Sequence, residues 1–91
     1  MYDKELMNHL VKLHLEQGRT YQSLQDEYGV AKNTISRAVC KFRKEAADNA
    51  EKAKVLADME ELHRLKKKVA ELEKENDFLK KAAAFFAKEN N

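Results

Sequence analysis

Lys32, Asn33, Thr34, Ser36, Arg37, Lys41, Arg43 and Lys44 crowd into residues 32–44, a stretch with five basic side chains and no acid. Arginine and asparagine can each make paired hydrogen bonds to a base edge in the major groove. Lysine, arginine and serine also hold phosphates, which fixes position without reading sequence. On this reading Lys32, Asn33, Ser36 and Arg37 face a groove of double-stranded DNA. Lys41, Arg43 and Lys44 reach its backbone, and Thr34 lies at the margin. A merely solvated charged face would show the same net charge, so the neighbouring elements must decide.

Those elements read as helices. Over residues 3–17, Leu6, Leu10 and Leu13 recur at helical spacing and Val11 widens the apolar face. Asp3 and Glu5 suit the positive N-terminal end, and Gly18 can end the helix in a left-handed conformation. Thr20 is placed to cap a second helix, residues 21–28, whose inward side chains are Leu24 and Tyr28. Gly29 closes it and Val30 turns inward. A third helix starts near residue 32, with Ile35, Val39 and Phe42 on one face and Ala38 beside them. Two short helices about a glycine turn, the second one basic, make a helix-turn-helix pattern. Two residues depart from it. Gln25 stands where a small residue usually allows close packing, and Ala31 offers the third helix no side-chain cap. A three-helix head that binds protein is the alternative.

Downstream, Leu62, Val69, Asn76 and Ala83 repeat every seven residues, as do Leu65, Leu72, Leu79 and Phe86. These are the a and d columns of a coiled coil, with Val55 as an extension backwards. The pattern predicts a helix over about residues 51–88. In a parallel pair Glu61 meets Lys66 of the other chain, Lys68 meets Glu73 and Glu75 meets Lys80, all attractive. Exposed pairs contribute only about 0.2–1 kcal/mol each. Charge alone leaves an antiparallel register open, and Asn76 decides between them. In the parallel, in-register pair the two amides meet. Any slip or reversal sets an amide against leucine, at a cost of about 1–3 kcal/mol. Phe85 falls at position c, off the seam, and reads either as a further exposed contact surface or as frayed packing.

The organisation that follows is all-α. A three-helix head occupies residues 1–45, a helical linker 46–54, and an oligomerisation helix with its tail 55–91. Asp48 followed by Glu51 suggests a capping box, and so a break near residues 45–50, with a third helix running on into the zipper as the alternative. Residues 46–61 carry five acids against Lys52 and Lys54. A basic-region zipper is thereby excluded, and contacts to DNA fall to residues 32–44.

Composition narrows the remaining classes. The chain has 91 residues, no proline, two glycines and 37% charged residues, which fits one small, nearly all-helical body. No apolar run approaches the roughly 20 residues of a membrane span, and MYDKELMNHL lacks the character of a signal peptide. One cysteine, Cys40, cannot form an intrachain disulfide. A cytoplasmic protein is expected, with no membrane partner. His9, His14, His63 and Cys40 do not have zinc spacing. No nucleophile–base constellation is present. The expectation is a non-enzyme without metal or cofactor.

These residues resemble a known family. VKLHLEQGRTYQSLQDEYGVAKNTISRAVCKFRKE is similar to the helix-turn-helix of the upstream-frame protein, OrfA, of bacterial insertion-sequence transposases. ELEKENDFLKKAAAFFAKE is similar to that family's zipper and tail. The resemblance implies binding to terminal inverted repeats, parallel homodimerisation and residence at the bacterial nucleoid. It also implies a downstream-frame catalytic transposase as partner or fusion, with a metal-dependent catalytic domain that this sequence does not contain. DNA contact is carried to Lys32, Asn33, Ser36 and Arg37, and dimerisation to the a and d residues. A stand-alone transcriptional repressor and a coiled-coil adaptor are the competing functions.

Overall fold

The computed structural model describes residues 3–89. Met1, Tyr2, Asn90 and Asn91, which the boundaries 1–45 and 55–91 include, lie outside them. Within the described residues the fold is all-helical: α1 (Lys4–Gln17), α2 (Tyr21–Tyr28), α3 (Lys32–Asp48) and the long α4 (Ala50–Glu89).

Each junction has a local cause. Asp3 caps α1 by accepting from the Glu5 N–H. Gly18 ends α1 at φ 72°, its N–H returning to the His14 carbonyl and that of Arg19 to Leu13. A Cβ on Gly18 would come within 2.5 Å of the His63 ring, so this turn is also where α4 packs closely. Thr20 caps α2 by accepting from the Ser23 N–H at 3.1 Å, as its sequence position predicts. Gly29 ends α2, again at φ 72°, in open space.

The break between α3 and α4 falls within the expected residues 45–50, but its cap is a different residue. Only Asn49 lies outside a helix, in an extended conformation with φ −137° and ψ 115°. Its side-chain oxygen accepts from the N–H groups of Glu51 (3.0 Å) and Lys52 (3.1 Å), so the cap is Asn49 and not Asp48. Residues 46–54 are thus helical except at Asn49. The third helix runs three residues past the expected boundary, and α4 begins at once. The Asn49 side chain satisfies orphan donors that a longer loop would leave to water.

Two apolar clusters form the core. Leu10, Leu24, Val30 and Ile35 are fully buried, with Leu6, Met7, Leu13, Tyr21 and Tyr28 against them. This is the core that the head's spacing predicts. The second cluster joins Val11, Leu15 and Val39 to Phe42, Leu56 and Met59. Leu56 and Met59 belong to α4, so the head is built from four helices. The ion pair of Glu16 with Lys66 and the contact of Gly18 with His63 lie at one end of α1. Lys4 and Lys52 line one cleft at the other end, so α1 runs parallel to α4. The α3 helix runs back against α4, tied by Glu45 to Lys52 and by Arg43 to Glu60. Beyond Lys66 the rest of α4 projects roughly 35 Å at 1.5 Å per residue, in a body 65 Å long.

The three histidines act in packing. His14 stacks on Tyr21 with ring centroids 4.2 Å apart, and its Nδ1 donates to the Arg19 carbonyl at 2.8 Å. His9 meets the edge of Tyr28. Together with His63 on Gly18, they fasten α1 to α2 and to α4.

Candidate nucleic-acid interface

The interface is built on α3, whose inward face is set by Ile35, Val39 and Ala46, all buried. Burying those residues turns the opposite face outward. Asn33, Arg37, Lys41 and Lys44 are exposed there. Their spacing of four, four and three residues aligns them in one row about 16 Å long. Cys40, also exposed, stands beside this row, a neighbour that charge-based reading passes over.

The remaining candidates lie to its sides. Thr34 and Ser36 are half-buried on opposite flanks. Lys32 is exposed at the first turn. Arg43 points towards α4, where its guanidinium donates to Glu60 at 3.3 Å, so a phosphate would compete with a carboxylate for it. Lys41 lies 4.0 Å from Glu45, one turn on. Glu45 itself accepts from Lys52, and that hydrogen bond holds its carboxyl below the usual range, with Lys41 adding to the effect. Two of the three residues expected at the DNA backbone thus have internal partners, and Lys44 has none among the described ion pairs.

Gln25 and Ala31, the two departures from the motif, resolve each other. Ala31 makes no side-chain cap. The half-buried Gln25 reaches across from α2, and its Oε1 accepts from the Lys32 N–H at 3.0 Å. An amide on one helix thereby caps the start of the next and fixes the angle at which α3 leaves the turn. The first turn of α3 contains no acid that would oppose an approaching phosphate.

The second candidate surface is the apolar row of α4. Exposure rises along it from 37% at Leu62 to 55% at Leu79 and 62% at Phe86, and no described residue of α4 is buried. The side facing the head carries Leu56, Met59, His63 and Lys66. At 3.6 residues per turn this side lies roughly a third of a turn from the a/d row. Packing onto the head therefore leaves the row open. Glu61 is engaged within its own chain by Arg64, whose hydrogen bond lowers the Glu61 pKa and raises that of Arg64. Lys66 pairs with Glu16 at 3.7 Å. The first of the three expected interchain pairs thus has intrachain competitors on both sides. Lys68, Glu73, Glu75 and Lys80 have none among the described ion pairs.

A cleft between α1, α3 and the start of α4 is walled by Met7, Val11, Phe42 and Met59, with Lys4, Lys41 and Lys52 among its lining residues. Its lining includes no serine, cysteine or histidine. No described helix is long and apolar enough to cross a membrane. Comparison with family models, curated proteins and solved structures returns no match to this chain.

Proposed function

We infer that the chain is a DNA-binding component of a transposition system, with α2 and α3 as a helix-turn-helix and α4 as a parallel zipper. The observation that carries this reading is the exposed row Asn33–Arg37–Lys41–Lys44, opposite a buried Ile35–Val39–Ala46 face. It offers groove-reading side chains first and phosphate-holding ones after them on a single helix face. Asn76, on the exposed apolar row of α4, selects the parallel, in-register pair because reversal would set its amide against leucine. Two heads then lie at the same end of a rod, as a repeat with two half-sites requires. The specific target, terminal inverted repeats, and the downstream-frame catalytic partner rest on the OrfA resemblance. So does a cytoplasmic, nucleoid-associated location.

The test is binding of the full chain to element-end DNA and to random DNA across a salt series. Phosphate contacts give a steep fall in affinity with salt. Arg37→Ala should weaken binding to the preferred site by about 1–3 kcal/mol and narrow its margin over random DNA. An equal loss on both DNAs reduces Arg37 to a backbone contact. Absence of binding at low salt favours the protein-binding adaptor. Preference for an operator unrelated to element ends favours the stand-alone repressor.

A further inference from the structure

The end of α4 changes character. Upstream of Phe78 the heptads are apolar at a and d, apart from Asn76, and charged at e and g. From Ala82 to Ala87 six consecutive residues are apolar, and they occupy g, a, b, c, d and e. Lys81 and Lys88, both at f, flank this run. Phe78 and Phe85, both at c, are 68% and 58% exposed, and closing an a/d seam would leave them so. A helix apolar on nearly every side is suited to neighbours on more than one side.

We propose that residues 78–89 join two zipper dimers into a parallel bundle of four copies of this chain. The inference rests on the zipper reading above. The two phenylalanines offer on the order of 250 Å² of exposed ring surface per chain, against about 800 Å² per partner in a stable interface. The stripe is too small to hold a free-standing partner. It suits a helix already placed alongside, with its own a/d row adding to the contact, and another copy of this chain brings such a row.

Size and charge fit the same occupant. In a parallel bundle the g/c side of one helix faces the e/b side of the next. Phe85, at c, then meets Ala84 and Ala87 of its neighbour, a large ring against two small side chains. Glu75 at g meets Lys80 at e of that neighbour. An antiparallel arrangement that kept the two 78–89 segments side by side would bring g against g, and so Glu75 against Glu89. The Lys74, Lys81 and Lys88 column remains outermost in water.

Sedimentation velocity of the full chain, over a wide range of concentrations, tests the proposal against the double variant Phe78→Ser, Phe85→Ser. The expected masses are four chains for the parent and two for the variant, with unchanged helical circular dichroism. A parent that stays at two chains at the highest concentration overturns the four-chain bundle and leaves the zipper standing. A variant that falls to one chain also overturns it, because the rings would then belong to the dimer itself. A monomeric parent removes the zipper reading and this proposal together.

Discussion

Gln25 shows how one side chain can set the aim of a helix. Among the described residues its amide oxygen is the only side-chain cap at the start of α3. Loss of a helix-start cap costs about 0.5–2 kcal/mol. Gln25→Ala should therefore lower the denaturation midpoint by an amount in that range and weaken DNA binding through Lys32 and Asn33, whose turn it holds. Adding Ala31→Ser to Gln25→Ala should restore most of the stability, since serine at that position caps the same turn. Chemical denaturation of the four members of the cycle measures the coupling. Additive losses would show that Gln25 caps nothing. The sequence shows both departures from the motif, but not that they are complementary. The Gln25–Lys32 hydrogen bond spans the turn at Gly29, whose φ is 72°.

At the scale of elements, α3 and α4 are held together by the Glu45–Lys52 bridge as well as by apolar contact. The Glu45 carboxyl is held below its ordinary range in the folded chain. Its contribution is thus complete above the ordinary carboxylate pKa and is lost as pH falls through the lowered value. Glu45→Gln should lower the melting temperature at neutral pH, and the gap to the parent should close on acidification through the carboxylate range. Melts at neutral and acidic pH read this directly. Asn76→Val belongs to the same scale. It should raise the melting temperature while admitting reversed pairs. Crosslinking of Cys40→Ser chains carrying one cysteine at either end of the zipper would detect them. Exclusively parallel products would show that Asn76 does not choose direction.

Much of this layer is legible in sequence, because helix caps and stops are local. Thr20, Gly18, Gly29 and the leucines of the head each act over a few residues. The attachment of α4 is less legible. Leu56 and Met59 lie off the a/d columns, on a second side of the same helix, and a heptad frame assigns them no partner. Leu15 escapes for the same reason: its cluster includes Val39, Leu56 and Met59, all more than twenty positions away. The exposed row of α3 is largely readable from its amphipathic pattern. The withdrawal of Arg43 towards Glu60 is not, because it depends on how α4 folds back.

For the whole molecule, the functional boundary lies within α4. A fragment ending at residue 49 should lose the packing of Leu56 and Met59. Half-burial of two such side chains is worth about 2–3 kcal/mol, a large share of the total for so small a head. A fragment ending at residue 68 keeps both residues and the Glu16–Lys66 pair. It should fold as a monomer with weak DNA affinity. Melting of the two fragments separates these cases, and equal stability would place the boundary before α4.

The single-residue joint at Asn49 has a mechanical corollary. With no slack between reading helix and rod, paired heads would behave like the jaws of a fixed caliper. Two half-sites moved apart by half a turn of duplex would then present the wrong side to one jaw. Only whole-turn spacings would be gripped by both.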